Sequence, residues 1–173
     1  MNPRVMMSLD EYLHTSFDGA DCDYVDGEII ERNMGELPHA ILQAELLRRL
    51  QDMAGRLQLR VLPEIRLQTR PTRFRVADIA VWRRGDIGTR IPTVPPFLVV
   101  EILSAEDRLI RLQPKIQEYL GYGVERIWVI DPDERRALSY DAATPGGALV
   151  EALHTVDPAM TIPLAGLFSA MDT

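Results

Sequence analysis

Residues 97–132, FLVVEILSAEDRLIRLQPKIQEYLGYGVERIWVIDP, contain an apolar segment, an amphipathic segment and a second apolar segment. The two apolar segments have the length and composition of strands whose faces are both covered. Between them, Leu112, Ile116 and Leu120 recur at the spacing of one helical stripe. A strand, a helix and a strand in succession predict a parallel pair joined by a right-handed crossover. The stretch therefore predicts an α/β fold.

The segments upstream extend this pattern. Residues 38–56 carry apolar positions at helical spacing, and residues 58–68 and 74–82 have the composition of strands. The resulting order is helix, three strands, helix and strand, which predicts an α/β fold with a mixed central sheet. Because Pro114 fits poorly inside a helix, we expect the second helix to begin only a few residues before it. Lys115 would then lie near the positive, N-terminal end of that helix.

Both ends of the chain add short elements. Ser8 and Glu11 have the spacing of a capping box at the start of a short helix. Asp26-Gly27 lies between two alternating segments and predicts an N-terminal hairpin with a two-residue turn. Residues 135–142 and 148–156 predict extra C-terminal strands, which we expect to form a hairpin.

Composition excludes several classes of protein. With 173 residues, 46% of them hydrophobic, the chain has the size of one domain, which we expect to span residues 1–173. No apolar run approaches the roughly 20 residues that span a bilayer, and the N-terminus lacks the pattern of a signal peptide. We therefore expect a cytoplasmic protein without membrane contact. The single cysteine, Cys22, excludes an internal disulfide and a cysteine-rich zinc site.

Charge is distributed unevenly along the chain. The net charge of −7 argues against a protein that coats nucleic acid without specificity, because phosphate neutralisation needs clustered cations. Residues 48–90, however, contain eleven arginines against four acids, a local net charge of +7. This segment is either a solvated face rich in arginine or a patch that faces phosphates.

Two acids lie within otherwise apolar strand segments, Asp78 in RVADIAVW and Glu101 in LVVEIL. A buried carboxylate without a partner is costly, so each requires a cation or hydrogen-bond donors. If the two strands are neighbours, the carboxylates can converge on one divalent cation, and magnesium suits such a pair. The alternative is an ion pair within the protein, for instance between Asp78 and Arg73, Arg75 or Arg83.

Lys115 is the only lysine among nineteen lysines and arginines. A compact ammonium group can approach a water molecule or a scissile phosphate in a way that a planar guanidinium cannot. This lysine therefore indicates a chemical role, although a single surface lysine retained by chance is the alternative.

Several motifs together resemble a known family. They are YVDGEI, His39 at a helix start, Asp78, Glu101-Ile102-Leu103-Ser104, Asp107, LQPKIQEY and GVERIWVIDP. Over residues 8–141 the chain resembles the Uma-type family of restriction-endonuclease-like proteins, within the PD-(D/E)XK nuclease superfamily. The resemblance implies a restriction-endonuclease-like core with the order helix, three strands, helix and strand.

The resemblance also implies a site. Asp78 and Glu101 would be ligands of Mg²⁺, with Mn²⁺ as an alternative ion, and the backbone carbonyl of Ile102 would be a third ligand. The superfamily's usual lysine position holds Leu103 here, and Lys115 on the following helix matches the displaced lysine of this family. Ala77 replaces the usual proline before Asp78, and Pro114 precedes the lysine. Gln113 matches the family pattern and would have a minor polar role, or only a hydrogen bond at the helix start.

Other candidates have weaker support. His39 and Glu45 lie on the first long helix, and either could face the cleft, although a histidine at a helix opening is more often structural. Glu28, directly after the hairpin turn, is expected at the surface. The three histidines of the chain have no metal-binding spacing, and Ser104 has no evident partner base.

The expected function is magnesium-dependent hydrolysis of DNA phosphodiester bonds, with Lys115 orienting the attacking water or stabilising charge on phosphorus. DNA is the expected partner, and cleavage of both strands would favour a homodimer. One alternative is a catalytically silent module of the same fold that binds nucleic acid or a protein partner. Another is a structural protein whose buried ions only pair with one another.

Overall fold

The computed structural model describes residues 5–18, 21–32, 36–85, 87–88, 90–104 and 109–172. Its helices are α1 (Leu9–His14), α2 (Leu37–Leu57), α3 (Leu109–Tyr122) and α4 (Leu164–Phe168), followed by a 3₁₀ helix at Ser169–Asp172. Its strands are β1 (Val5–Met6), β2 (Asp23–Val25), β3 (Glu28–Ile30), β4 (Leu59–Arg70), β5 (Arg73–Arg83), β6 (Leu98–Ile102), β7 (Arg126–Asp131), β8 (Arg136–Tyr140), β9 (Ala148–Val150), β10 (Ala152–Thr155) and β11 (Met160–Pro163). Within these ranges, no helix combines the length and the apolar character needed to cross a membrane.

The main sheet has nine strands. Eight follow the order β1-β3-β2-β5-β6-β7-β8-β9, and β4 pairs with β5 as the ninth. β6 and β7 are parallel and are connected through α3, whereas β5 is antiparallel to β2, β4 and β6. The predictions of an α/β fold, a mixed sheet and a core order of helix, three strands, helix and strand are confirmed.

Helices cover both faces of the centre of the sheet. Because side chains alternate along a strand, Leu98 and Val100 of β6 pack on one face and Val99 packs on the other. The first face contacts α2 through three fully buried leucines at helical spacing, Leu42, Leu46 and Leu50. The second face contacts α3 through Ile116 and Tyr119. Each fully buried leucine stabilises the fold by about 1.5–3 kcal/mol relative to an exposed one.

One edge of β5 carries two strands in succession. β4 pairs with the opposite edge of β5 along nearly the whole strand. On the first edge, β2 pairs with Arg73 and Phe74, and β6 pairs with residues 79–81. Residues 75–78 have no strand partner here within the described chain, and we call this gap the fork. Buried backbone groups at the fork need side-chain partners, because an unpaired buried polar group is costly.

The N-terminal predictions are confirmed. The side chain of Ser8 accepts a hydrogen bond from the backbone of Glu11, whose side chain accepts one from the backbone of Ser8. Asp26 and Gly27 have φ values of 50° and 99° and form the turn between β2 and β3. Both are left-handed conformations, which a two-residue hairpin turn of this kind requires.

Two expectations are corrected. α3 begins at Leu109, so Lys115 lies in the middle of the helix rather than near its N-terminal end, and the helix accommodates Pro114 inside it. Proline lacks the amide hydrogen that would bond to the carbonyl four residues back, but the rest of the helix continues around this gap. The predicted C-terminal hairpin is confirmed for β8 and β9, which pair in antiparallel register, but β10 forms a separate hairpin with β11.

Candidate active site

A cavity of about 350 Å³ opens at the fork. Its walls come from β2, β3, β5, β6 and from α2 and α3. Asp78, Glu101 and Lys115, which the sequence singled out, all line this cavity. His39 and Arg32 line it as well.

Asp78 and Glu101 lie on neighbouring strands at the fork. Ile79 of β5 pairs with Val100 of β6 in antiparallel register. Continuing that register by one residue sets Asp78 opposite Glu101. The two residues are only 2% and 5% exposed. The charge of Asp78 raises the pKa of Glu101, so the two carboxylates repel each other when both are ionised.

Glu101 is held by two donors from α3. The Nζ atom of Lys115 lies 3.0 Å from Oε2, and the hydroxyl of Tyr119 donates to Oε1 at 2.8 Å. Burial raises the pKa of Glu101 to about 7, and the nearby Asp78 carboxylate raises it while the Lys115 ammonium opposes both effects. Glu101 therefore gains or loses a proton near neutral pH in the absence of a further cation.

Lys115 reaches from α3 to the backbone of the fork. Its Nζ donates to the carbonyl oxygen of Val76 at 2.8 Å and lies 3.9 Å from Oδ2 of Asp23. Burial alone would lower the pKa of Lys115, but the charges of Asp23 and Glu101 raise it above its ordinary value. Lys115 is therefore an ammonium ion at neutral pH, with its charge aimed at the carboxylate of Glu101.

Asp78 accepts hydrogen bonds from three other elements of the fold. Oδ2 accepts from the backbone amide of Ile102 at 2.7 Å and lies 3.3 Å from Nε2 of His39, while Nη2 of Arg32 donates to Oδ1. Burial by itself would raise the pKa of Asp78. The hydrogen bond from His39 and the charges of Arg32 and Lys115 outweigh burial and hold that pKa below its ordinary value. Asp78 is ionised.

Asp78 therefore forms its ion pair with Arg32. The three arginines named above as alternative partners of Asp78 form ion pairs with other acids. Arg73 bonds to Asp26, Arg75 bonds to Asp23 and Glu118, and Arg83 bonds to Glu125. Arg75 lines the same cavity as Asp78, but its guanidinium is engaged by Asp23 and Glu118.

Glu64 and Gln43 anchor Arg32. Nη1 of Arg32 lies 2.5 Å from Oε2 of Glu64, and Gln43 donates to Oε1 of Glu64 at 2.6 Å and to the carbonyl oxygen of Asp78 at 3.1 Å. Glu64 has a φ of 44°, a left-handed conformation that costs a residue with a side chain roughly 1–2 kcal/mol. The β4–β5 register includes Pro63 with Ile79 and Ile65 with Ala77 but omits the pair between them, Glu64 and Asp78.

A second group of buried charges lies beside the first. Nη1 of Arg75 donates to Oδ2 of Asp23 at 3.1 Å, and Nη2 donates to Oε2 of Glu118 at 2.7 Å. The hydroxyl of Thr69 donates to Oε1 of Glu118, and the backbone amide of Val76 donates to Oδ1 of Asp23 at 2.7 Å. We call Arg75, Asp23, Glu118 and Thr69 the Arg75 cluster. Asp78, Glu101, Lys115, Arg32 and His39 form the Asp78 cluster.

The remaining sequence candidates lie in several places. Gln113 donates to the hydroxyl of Tyr140 at 3.4 Å and is not among the residues that line the cavity. Ile102 lines the cavity, and its amide is the donor to Asp78. Glu45 forms ion pairs with Arg48 and Arg49 away from the cavity. Glu28 lies on β3 and does not line the cavity.

Asp107, the remaining residue of the quoted motifs, lies outside the described residues. The described histidines His14 and His154 bond to nearby backbone carbonyls rather than to each other. Cys22, the single cysteine, is buried.

Most of the arginine-rich segment is engaged within the protein. Six of its eleven arginines form ion pairs with acids, namely Arg48, Arg49, Arg66, Arg73, Arg75 and Arg83. The other five are exposed and have no ion pair within the described part of the chain, namely Arg56, Arg60, Arg70, Arg84 and Arg90. Arg84 follows β5 six positions after Asp78, about 20 Å along an extended strand. None of these five arginines is among the residues that line the cavity.

Sequence reasoning missed residues of both clusters and residues that hold them in place: Asp23, Glu118 and Thr69 of the Arg75 cluster, Arg32 of the Asp78 cluster, and the supporting residues Gln43, Glu64 and Tyr119. Two signals were available. Tyr119 lies one helical turn after Lys115, so it can reach the same acid. Asp23 lies two positions before Val25 in a strand that carries apolar residues, which marks a buried acid. Arg32 and Glu64 gave no signal, because their contact depends on the unusual backbone of Glu64.

Comparison with protein families identifies the chain's relatives. Residues 9–168 match the model of the Uma2 family, whose description reads "Putative restriction endonuclease". The chain belongs to the Uma2 family. The family assignment implied by the sequence motifs is thereby confirmed. A search of curated proteins found no match.

Two solved structures are similar to this Uma2 chain. A nuclease of the DUF820 group from Anabaena variabilis ATCC 29413, called "putative" in its own description, is 23% identical, with a TM-score of 0.79 over 95% of this chain and 99% of the other. This likeness supports the fold. The second is a DrdV–DNA complex, 17% identical with a TM-score of 0.40 over 73% of this chain and 11% of the other.

Proposed function

We propose that this Uma2 chain is a metal-dependent endonuclease that hydrolyses phosphodiester bonds in DNA. The opposed carboxylates of Asp78 and Glu101 carry this proposal, because no cation in the described part of the chain contacts both. A divalent cation between them would remove their repulsion, and such cations promote phosphodiester hydrolysis. The description of the family and that of the Anabaena protein both name nucleases, which supports the same activity.

The donor set suits magnesium. Within the described ranges, no three His, Cys, Asp or Glu side chains are grouped as a metal site. Mg²⁺ does not need such a group, since it binds through one or two carboxylates and completes its shell with water and substrate oxygens. Asp78 and Glu101 would hold Mg²⁺ or Mn²⁺, with the backbone carbonyl of Ile102 as a third proposed ligand. The ion would supply Lewis-acid polarisation of the scissile phosphate.

Lys115 supplies a fixed positive charge beside these acids. Its ammonium group can hold the attacking water by donating a hydrogen bond to the water oxygen, and can stabilise negative charge that develops on the phosphate oxygens. Val76 and Asp23 hold the ammonium group in place, and Tyr119 holds the carboxylate of Glu101. In this proposal Gln113 has no direct role, since it bonds to Tyr140.

DNA is the proposed substrate. The exposed arginines without an acid partner, Arg56, Arg60, Arg70, Arg84 and Arg90, provide donors for backbone phosphates beyond the cavity. The net charge of −7 repels a polyanion, so DNA binding would depend on local contacts between these arginines and phosphates, whose affinity falls with salt. Cleavage of both strands by one site per chain would require a two-fold dimer or two successive binding events.

One observation favours the alternative of a catalytically silent module. Arg32 pairs with Asp78 and occupies one of its oxygens, so a metal ion would have to compete with Arg32 there. The alternative predicts DNA or protein binding without metal-dependent hydrolysis.

The deciding experiment is a cleavage assay with supercoiled, linear, single-stranded and branched DNA, each with Mg²⁺ or Mn²⁺. Lys115→Ala is expected to lose about 100-fold or more of the rate, the loss typical of removing one electrostatic donor. Lys115→Arg keeps the charge but not the compact ammonium, and is expected to lose activity too. Arg135→Ala, which breaks an exposed ion pair with Asp172, serves as the control that keeps activity.

Cutting of no substrate by the wild type, together with undetectable metal binding, would overturn the nuclease proposal in favour of the silent module. Cutting that survives Lys115→Ala at the wild-type rate would remove Lys115 from the mechanism.

A further inference from the structure

Arg32 connects the cavity to an anchor outside it. The residue follows β3 and belongs to no helix or strand, and its side chain is 15% exposed and lines the cavity. One end of its guanidinium bonds to Asp78 and the other to Glu64. Arg32 can therefore release one contact while it keeps the other.

The contacts of Asp78 determine where a metal ion can approach. A carboxylate oxygen offers two lone pairs. Oδ2 of Asp78 already accepts from the amide of Ile102 and from His39, whereas among the described contacts Oδ1 accepts only from Arg32. A metal ion that binds Asp78 must accordingly use Oδ1, beside the guanidinium group.

A metal ion at Oδ1 repels Arg32, because two cations cannot share one carboxylate oxygen without strong repulsion. Glu64 would retain Arg32, since Glu64 is held independently by Gln43. A guanidinium freed at one end presents donors whose geometry matches phosphate oxygens. The strained backbone of Glu64 is consistent with such a use, because strain of this kind persists mainly where it serves a site.

We propose that Arg32 is a phosphate-binding residue that contacts Asp78 only while metal is absent. Metal binding transfers its Nη2 donor from Oδ1 of Asp78 to a phosphate oxygen of the DNA. Glu64 and Gln43 are positioning residues that hold Nη1 throughout. This inference rests on the proposed function and adds a substrate-binding residue to it.

The test compares Arg32→Ala, Arg32→Lys and wild type in two assays. Titration calorimetry with Mn²⁺ and no DNA measures metal affinity, and the Kd of Arg32→Ala is expected to fall about tenfold because one charged contact no longer competes. Fluorescence anisotropy of a labelled DNA duplex with Ca²⁺ measures substrate affinity, which the same variant is expected to lose by about tenfold. A purely structural role for Arg32 cannot tighten metal binding and weaken DNA binding together.

Two controls separate geometry from charge and from folding. Arg66→Ala removes a part-buried arginine that pairs with Asp21 and does not line the cavity, so both affinities should stay at wild-type values. Arg32→Lys keeps the charge and the fold but offers a single ammonium, so its DNA affinity should lie between wild type and Arg32→Ala. Circular dichroism melts establish that each variant is folded before binding is measured.

Mn²⁺ affinity that is unchanged or weakened in Arg32→Ala would overturn the competition at Asp78. Unchanged DNA affinity would overturn the phosphate contact. A wild type that binds no Mn²⁺, or whose Mn²⁺ binding survives Asp78→Asn, would defeat the metal site itself and this inference with it, so the two failures are distinguishable.

Discussion

The Asp78 cluster and the Arg75 cluster lie side by side at the fork, and each contains two buried acids. In the Arg75 cluster, the guanidinium of Arg75 lies between its acids and donates to both Asp23 and Glu118. In the Asp78 cluster, each acid has its own ion-pair partner, Arg32 on Asp78 and Lys115 on Glu101. The position between the acids is filled by a cation in one cluster, whereas no described cation bridges the acids of the other.

The pKa values follow this difference. Burial would raise the pKa of Glu118, but the hydrogen bonds from Arg75 and Thr69 hold it below its ordinary value. Burial raises the pKa of Glu101 to about 7 in the presence of Asp78. Buried acids that share a cation within the protein stabilise the fold. Buried acids with no cation between them are suited to bind a cation. This contrast yields the following predictions.

Removal of Arg75, the cation that bridges Asp23 and Glu118, should cause the largest loss of stability. Arg75→Ala leaves Asp23 and Glu118 buried without their shared partner, and the free energy of unfolding should fall by about 3–5 kcal/mol. Urea unfolding in EDTA measures this change. Arg135→Ala breaks an exposed pair and should have little measurable effect. Equal losses in the two variants would remove the distinction between a buried bridge and a surface pair.

Neutralising one acid in each cluster should lower the free energy of unfolding by unequal amounts. Glu118→Gln removes a charge that Arg75 and Thr69 stabilise, and should cost about 1.5–3 kcal/mol. Glu101→Gln removes a charge that Asp78 opposes and that is only partly ionised at pH 7, and should cost less than about 1 kcal/mol. Urea unfolding at pH 7 in EDTA compares them. A larger loss for Glu101→Gln would mean that Glu101 is a structural ion.

The dependence of stability on pH should show the smallest effect. The pKa of Glu118 is depressed in the folded protein, so its contribution is fully present above the unfolded value of about 4.5. The contribution is lost as pH falls through the lower, folded value. The free energy of unfolding should therefore fall more steeply between pH 6 and pH 3 for wild type than for Glu118→Gln. Parallel curves would contradict the depressed pKa.

Much of the fold could be predicted because periodicity depends on local sequence. The strand, helix and strand of residues 97–132, the turn at Asp26-Gly27 and the capping box at Ser8 each follow from neighbouring residues. The predicted position of Lys115 near the start of α3 was wrong, because a helix can continue around a proline when its other contacts compensate. The division of residues 148–156 into β9 and β10 depends on pairing with β8 and β11, which lie elsewhere in the chain.

The site was predictable only in part. Asp78, Glu101 and Lys115 stand out because each is an unusual residue for its surroundings, and the structure brings them to one cavity. The ion pair between Asp78 and Arg32 joins residues 46 positions apart and depends on Glu64, whose backbone conformation has no signature in the sequence.

The central claim is that no cation in the described part of the chain bridges the two acids of the Asp78 cluster, whereas Arg75 bridges those of the Arg75 cluster. Titration calorimetry with Mn²⁺ on wild type, Glu101→Gln and Glu118→Gln tests it most directly, since both variants replace one buried glutamate by its neutral isostere. We predict that Glu101→Gln loses Mn²⁺ binding and that Glu118→Gln keeps it at the wild-type stoichiometry. Equal Mn²⁺ binding by Glu101→Gln and wild type would contradict the account.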